Sequence, residues 1–252
     1  MIRVEGLTKV YDQFTAVNGI DLHVREGEIY GFLGPNGAGK TTSIRMMIGL
    51  LKPTSGRIVL GGKDLEADPI GAKQIVGFVP DRPYIYEKLT AREFLEFMGG
   101  VYGVDKETVA KRGAELLEFF DLTNWTDELI ESYSHGMKQR LTMASAFLHS
   151  PKIFIVDEPM VGLDPKGARL FKDALREMSA RGTTIFMSSH SLAVVEELCT
   201  RVSIIQGGNI IATGSIDELR ERAADPSGNL EHVFLKLTGE ADAAVPEEIA
   251  GG

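Results

Sequence analysis

The chain has 252 residues, 43% of them hydrophobic and 25% charged, and its 27 basic and 36 acidic side chains give a formal net charge of −9. A chain of this length buries about 70% of its surface on folding, so this composition excludes disorder as the main state. The acidic balance disfavours binding to nucleic acid through a positive surface, and we predict no nucleic-acid partner.

Three features of the sequence indicate where the chain is made, whether it spans a membrane and whether it is secreted. Cys199 is the only cysteine, which excludes an internal disulfide and is typical of chains made in a reducing cytoplasm. The longest uncharged stretch, Val202–Ile216, contains glycine, asparagine and glutamine and is too short and too polar to span a bilayer. The first residues, MIRVEGLTKV, lack the apolar segment of a secretion signal, so we expect a chain that is not secreted.

The first predicted elements are strands with a two-residue period. Met1–Val4 and Val17–Val24 alternate apolar and polar residues, which indicates an antiparallel sheet with one wet face. Three later runs, Ile29–Leu33, Ile153–Val156 and Thr184–Met187, are continuously apolar or β-branched, and a helix-like stretch follows each of them. This pattern predicts strands of a parallel sheet that is buried on both faces.

A helical region interrupts this strand pattern. In Glu107–Phe120 the apolar side chains at 109, 116, 117 and 120 form one stripe, and charged residues lie opposite them. We predict an α/β fold with a helical insert at about residues 84–150 in a domain of residues 1–238. Residues 239–252 contain four acidic and no basic side chains, which predicts a flexible acidic tail.

A glycine-rich segment carries the first chemical signal. Gly34–Thr41 reads GPNGAGKT, which matches G-x-x-x-x-G-K-[ST], and it lies between a predicted strand and a helix-like run. In this motif backbone N–H groups face the phosphates, Lys40 neutralises the β and γ phosphates, and Thr41 faces Mg²⁺. A flexible glycine-rich turn, the alternative, does not account for the strand before it and the helix after it.

A second motif, which is acidic, narrows the class of nucleotide-binding protein. The run IFIV places Asp157 and Glu158 at the carboxyl end of a buried strand. There Asp157 can hold the water shell of Mg²⁺, and Glu158 can polarise a water molecule against the γ phosphate. A solvated acidic turn is the alternative. The chain contains no N-K-x-D sequence, which disfavours a GTPase.

Four further motifs occur along the chain, one before the glycine-rich segment and three after it. Tyr11 lies in KVYDQFTAVNGIDL, Tyr133–Arg140 reads YSHGMKQR, Gly162–Asp164 follows the DEP turn, and His190 lies in MSSHS. Over nearly its whole length the chain therefore resembles the nucleotide-binding subunit of ATP-binding-cassette (ABC) transporters. The resemblance implies a P-loop NTPase with a mainly parallel core sheet, an N-terminal antiparallel β subdomain and an inserted α-helical subdomain, and an ATPase that uses ATP and Mg²⁺.

The resemblance also assigns site residues. Glu158 and His190 would be catalytic, with His190 contacting the γ phosphate, and Asp164 would belong to the loop at a dimer interface. Tyr11 would stack on adenine. The ATP-binding set that it implies is Tyr11, Val17, Gly34, Pro35, Asn36, Gly37, Ala38, Gly39, Lys40, Thr41 and Thr42.

The signature sequence departs from the usual L-S-G-G-Q of the family. Ser134 and Gly136 stand at the positions that contact the γ phosphate held by a second copy, but His135 replaces glycine and Met137 replaces glutamine. The serine hydroxyl and the start of a helix remain. Ser134, His135 and Gly136 are therefore predicted to act in trans.

The second departure from the family's pattern lies among the predicted metal-binding residues. The resemblance implies Thr41, Asp81 and Asp157 as the metal residues, with Asp81 in place of a glutamine that ligates Mg²⁺ in the family. We predict that Asp81 still serves Mg²⁺, through a water molecule. The alternative is that Asp81 caps the turn at Arg82 and Pro83.

The resemblance is strongest to the exporter-type branch, whose membrane partner is a separate chain. It implies a transmembrane permease subunit, a second nucleotide-binding subunit that makes a homodimer, and a peripheral location on the cytoplasmic face of the cell membrane. Aromatic residues near the start of the insert stand where the family receives a helix of its membrane subunit, although core packing explains at least half of them. They are Tyr84, Tyr86, Phe94, Phe97 and Tyr102.

Two other functions compete with transport. A soluble ATPase of the same superfamily that acts on DNA or ribosomes is expected to have coiled-coil insertions, two fused cassettes or a basic surface. A regulatory module that binds ATP without hydrolysing it is expected to lack Glu158 or His190. This acidic single cassette has both residues, which favours the transport ATPase.

Overall fold

The computed structural model describes residues 1–160, 163–225 and 228–239. The strands of these residues form two sheets, one of four strands and one of six. In chain order the strands are β1 (Ile2–Tyr11), β2 (Phe14–Val24), β3 (Ile29–Leu33), β4 (Ser55–Leu60), β5 (Lys63–Asp64), β6 (Val76–Val79), β7 (Ile153–Asp157), β8 (Thr184–Ser189), β9 (Arg201–Gln206) and β10 (Asn209–Gly214).

The helices connect and cover these strands. The α-helices are α1 (Lys40–Met47), α2 (Pro69–Gln74), α3 (Ala91–Val101), α4 (Lys106–Phe119), α5 (His135–Phe147), α6 (Pro165–Ala180), α7 (Leu192–Leu198), α8 (Ile216–Arg222) and α9 (Leu230–Thr238). Two short 3₁₀ helices, Thr123–Trp125 and Ile130–Ser132, lie between α4 and α5. No helix of the described residues is long and apolar enough to cross a membrane.

The six-stranded sheet has the order β10-β9-β3-β8-β7-β6. The strands from β9 to β6 are parallel to their neighbours, and β10 adds an antiparallel edge. Every residue of β3, β7 and β8 is buried, which explains why these runs are continuously apolar up to their polar ends. The predicted mainly parallel core sheet is confirmed. The uncharged stretch Val202–Ile216 forms most of the β9–β10 hairpin.

The four-stranded antiparallel sheet has the order β2-β1-β4-β5. The predicted N-terminal antiparallel subdomain is confirmed, but β1 is longer than the alternating run Met1–Val4. Its pairing with β2 shifts register between Val4 and Leu7 and again on either side of Lys9. These irregularities break the two-residue alternation of side chains that sequence analysis uses to recognise a strand.

Apolar side chains pack against both faces of the six-stranded sheet. On one face Tyr30, Phe32 and Phe186 join α1 and the antiparallel sheet in a single cluster. On the other face Phe154 and Val156 pack with the helices. Burial at about 25 cal/mol per Å² of apolar surface is the main force that fixes the sheet between these layers.

The chain between β6 and β7 is helical. It contains α3, α4 and α5, and the stripe predicted on α4 is buried at Val109, Leu117 and Phe120, while Leu116 is partly buried. The acidic tail predicted for residues 239–252 lies outside the described residues, except for Gly239, which ends α9 in the left-handed conformation.

Candidate active site

The sheet order brings the predicted motifs to one edge. The segment Gly34–Gly39 follows β3, Glu158 follows β7, and His190 follows β8. Because β3, β8 and β7 are adjacent and parallel, their carboxyl ends meet. This edge is where open parallel sheets bind ligands.

The loop Gly34–Gly39 needs glycine for steric reasons. A Cβ atom on Gly34 would lie 2.2 Å from the carbonyl oxygen of Ile205, and Gly39 has a φ of +109°. The loop is fixed from the neighbouring hairpin, because the Gly208 N–H donates to the Ala38 carbonyl oxygen at 3.0 Å. The packed backbone therefore stabilises the turn from β3 into α1.

Helix α1 begins without a side-chain cap. Its N-cap is Gly39, which offers no side chain, and its first turn has no acidic residue. In contrast, Asp105 caps α4 and Ser134 caps α5. The first N–H groups of α1 and the positive end of its dipole are therefore suited to an anion such as a phosphate.

Lys40 is buried against this loop. Its ammonium donates to the carbonyl oxygens of Gly34 at 2.6 Å and Pro35 at 3.2 Å, and Glu158 Oε1 lies 3.9 Å away. Burial lowers the pKa of Lys40, while the negative charges of Glu158 and Asp157 act in the opposite direction. The ammonium thus lies between the phosphate-loop carbonyls and the two carboxylates.

Glu158 and His190 form a pair. Glu158 Oε2 lies 2.6 Å from His190 Nδ1 and accepts the His190 backbone N–H at 3.1 Å. Glu158 has a φ of +50°, which is unusual for a residue other than glycine. Its carboxylate is mostly buried, whereas the imidazole is mostly exposed. The sequence-predicted catalytic residues are therefore in contact.

Asp157 is almost fully buried at the end of β7. The Ser188 hydroxyl donates to Asp157 Oδ1. Burial raises the pKa of Asp157, hydrogen bonds from Ser188 and Thr41 lower it, and the charges of Asp81 and Glu158 raise it further. Thr41 and Asp81, the other two predicted metal residues, therefore both lie close enough to Asp157 to affect its pKa.

The signature residues lie in a different part of the molecule. Ser134 is exposed at the start of α5, and its hydroxyl accepts the Met137 N–H at 3.3 Å. His135 is exposed and Gly136 is half-buried. The contacts of Ser134 are thus local to its own helix.

Asp164, predicted for the dimer interface, is exposed and caps α6. Its Oδ1 atom accepts the Gly167 N–H at 2.8 Å. Gly162 of the same motif lies outside the described residues. Capping is a structural role, and this hydrogen bond uses one of the two carboxylate oxygens.

The remaining predicted ATP-binding residues differ in burial. Tyr11 ends β1 with an exposed ring, over which the Lys9 ammonium lies 5.1 Å from the centroid. Val17 is fully buried, and its Cγ2 atom would lie 3.4 Å from a Cβ on Gly39. Asn36 and Gly37 are exposed at the loop tip, and Pro35 and Thr42 are half-buried.

Ser188 is a site residue that sequence analysis missed. It is fully buried in β8, directly opposite Asp157 in the parallel register, and its hydroxyl also accepts the Glu158 N–H at 3.1 Å. A signal was available, because the run TIFMSS changes from apolar to polar while still within the strand.

A phosphate loop, a buried aspartate and a glutamate at the carboxyl ends of parallel strands of one sheet define a P-loop nucleotide hydrolase. The sequence profile of the family described as ABC transporter matches residues 17–161, more than half of the chain. The linearmycin resistance ATP-binding protein LnrL of Bacillus subtilis (strain 168) is 40% identical over 222 residues, which cover 88% of this chain and 71% of that protein.

Solved structures agree with this match. The structure of an ATP-binding subunit of an ABC transporter has a TM-score of 0.90 at 31% identity and covers 94% of this chain and 99% of that chain. A dimeric bacterial ABC transporter cassette has a TM-score of 0.78 at 25% identity, with coverages of 85% and 98%. The chain belongs to the ABC transporter family. It is the ATP-binding and ATP-hydrolysing subunit of such a transporter.

Proposed function

We propose that this ATPase powers the export of a solute through a separate transmembrane permease, and that residues 1–238 act as its ATP-binding domain. The observation that carries the proposal is the position of Glu158. Its carboxylate lies beside the Lys40 ammonium in the phosphate loop and is held by His190. A carboxylate in this position can accept a proton from a water molecule that attacks the γ phosphate.

Each predicted site residue then has a role in the binding or hydrolysis of ATP. Lys40 and the first N–H groups of α1 bind the β and γ phosphates, and Tyr11 stacks on adenine. His190 fixes the Glu158 carboxylate through both its ring and its backbone N–H. Because the Glu158 side chain is mostly buried, its direction is set before a nucleotide binds.

The donor set at this edge suits Mg²⁺. Thr41, Asp81 and Asp157 offer oxygen atoms, and the mutual repulsion of the carboxylates is relieved by a cation. The described residues contain no group of three or more acidic, histidine or cysteine side chains that could hold a metal ion. Mg²⁺ needs no such cage, since it is commonly held by one or two carboxylates, water and substrate phosphates. Bound there, it would neutralise charge on the phosphates.

We propose that two copies close around ATP. The exposed hydroxyl of Ser134 and the backbone around His135 and Gly136 would contact the γ phosphate held by the other copy, and Asp164 would face the interface. The dimeric cassette with a TM-score of 0.78 supports this arrangement. A two-fold dimer has two equal sites, so a homodimer suffices.

The membrane partner would bind the helical insert. Tyr84, Tyr86 and Phe97 are 78%, 57% and 47% exposed, and the Tyr86 and Phe97 rings are 5.2 Å apart. Phe94 is buried, and Tyr102 stacks on His149, so these two support the fold. The exposed aromatics suit a helix of a permease, which would hold the chain on the cytoplasmic face of the membrane. The resistance function named for LnrL supports export.

The proposal is tested by phosphate release from the purified chain, alone and with the permease reconstituted in liposomes. We expect Mg²⁺-dependent hydrolysis of ATP that the permease alters, and loss of hydrolysis in Glu158→Gln. Glu66→Gln changes an exposed glutamate of a surface ion pair and is the matched control. ATP binding without phosphate release by the unmodified chain, both alone and with the permease, would refute the proposal.

A further inference from the structure

Ser188 touches both acidic residues of the site, and no role has been assigned to it. Its hydroxyl donates its only proton to Asp157 Oδ1 and accepts the Glu158 backbone N–H at 3.1 Å. The side chain is fully buried. One serine therefore bonds to the side chain of one acidic residue and to the backbone of the next, and an apolar residue at this position could make neither bond.

The second of these bonds acts on a strained backbone. Glu158 has a φ of +50°, where a residue with a Cβ atom is unfavourable. The Glu158 N–H is held from two sides, by the Ser188 hydroxyl at 3.1 Å and by the Ser188 carbonyl oxygen at 3.3 Å. Strand β8 thus stabilises the turn in which β7 ends.

The direction of the Glu158 carboxylate depends on this turn. Glu158 Oε2 meets His190, which follows β8 directly, and Oε1 lies 3.9 Å from the Lys40 ammonium. If the backbone of Glu158 relaxed to a negative φ, its Cβ would point elsewhere and both contacts would change. A misplacement of about 1 Å can cost on the order of 100-fold in rate.

We propose that Ser188 is a positioning residue that aligns Glu158 for the hydrolytic step. This inference rests on the proposed role of Glu158 as the base. Ser188 acts through the Glu158 backbone, to which it is bonded. Its removal is expected to slow turnover and to change nucleotide affinity little, because within the described residues the hydrogen bonds of Lys40 and of the phosphate loop do not involve it.

The test is a double-mutant cycle of Ser188→Ala and Glu158→Gln, measured as single-turnover hydrolysis of radiolabelled ATP by the purified chain. If Ser188 acts by aligning the base, Ser188→Ala lowers the rate at least about tenfold when Glu158 is present and less than about twofold when it is already glutamine. Equal losses in both backgrounds, as a general structural defect would produce, would overturn the proposal.

Two controls separate alignment from destabilisation. Ser203→Ala removes a hydroxyl that is equally buried in the same sheet but bonds to Tyr30 and Thr213. It should lower the melting temperature comparably and leave the rate unchanged. Ser188→Thr keeps the hydroxyl and should restore the rate that alanine loses. The affinity for a fluorescent ATP analogue should change less than about twofold in Ser188→Ala, and a larger loss would contradict a positioning role.

The outcomes also distinguish this inference from the proposed function. If Glu158→Gln hydrolyses ATP at nearly the normal rate, the assignment of the base is wrong and the inference falls with it. If Glu158→Gln is inactive and Ser188→Ala is as fast as the unmodified chain, only the inference is wrong.

Discussion

The carboxyl edge of the six-stranded sheet and the start of α5 contrast within one chain. At the sheet edge the functional side chains bond to one another across strands, as in Glu158 with His190 and Asp157 with Ser188. At the start of α5 the Ser134 hydroxyl is exposed, and within the described residues its hydrogen bond is to the first turn of its own helix. A network that is complete within the chain suits chemistry, whereas an exposed helix start suits a contact with another molecule.

Burial separates the same two regions. Asp157 is 2% exposed, so a substitution there disturbs the packed interior of the chain. Ser134 lies on the surface, so a change there leaves the core packing intact and removes only a helix cap. Substitutions at the sheet edge should therefore alter binding and hydrolysis, and substitutions at α5 should alter association.

The largest expected effect is that of Glu158→Gln at the sheet edge. The amide keeps the size of the side chain and loses the base, so turnover should fall by about 10²- to 10⁴-fold while ATP still binds. Phosphate release and titration with a fluorescent ATP analogue measure the two quantities. A variant that keeps more than about half of the normal rate would show that Glu158 is not the base.

At α5, Ser134→Arg should prevent closure of the dimer. In the Glu158→Gln background, ATP should drive association that size-exclusion chromatography with light scattering detects, and Ser134→Arg should abolish it. Ser132→Arg is the control, because in the part of the chain that the structure describes the hydroxyl of this exposed serine bonds to the Leu129 carbonyl oxygen alone. If the Ser134→Arg, Glu158→Gln double variant closes on ATP as readily as Glu158→Gln, Ser134 does not act in trans.

A smaller effect is expected for Lys40→Ala. Hydrogen bonds to charged groups contribute about 1.5–3 kcal/mol, so affinity for an ATP analogue should fall by about 10- to 100-fold. The backbone of the loop remains, so binding should weaken and persist. Lys52→Ala, at an exposed lysine, controls for the change in net charge. Unchanged affinity would contradict the assignment of Lys40 to the phosphates.

The smallest effect concerns Asp81. If Asp81 serves Mg²⁺ through water, Asp81→Ala should raise the Mg²⁺ concentration for half-maximal turnover by about two- to fivefold, because Mg²⁺ tolerates retained waters. Asp81→Gln, which restores an oxygen on a longer side chain, should keep a dependence near that of the unmodified chain. An unchanged Mg²⁺ requirement in Asp81→Ala would favour the role of Asp81 as a turn cap.

The sequence predicts most of the sheet edge because its signals are local. A phosphate loop and the buried strands β3 and β7 can be recognised in short windows, and parallel order then places their ends together. The contact between Ser188 and Asp157 depends on register between distant strands, which no window contains. Strand β4 has no such local signal, because it begins with exposed Ser55, Gly56 and Arg57 and is held in the sheet by pairing with β1 and β5.

At the left-handed backbone position of Glu158, the stability of the fold favours glycine, whereas the proposed chemistry of ATP hydrolysis requires the glutamate. Glycine adopts this conformation without the cost of about 1–2 kcal/mol that other residues carry, but it would lack the carboxylate that contacts His190 and Lys40. A glutamate in this turn therefore accepts a strained backbone and places a carboxylate at the carboxyl edge of the sheet.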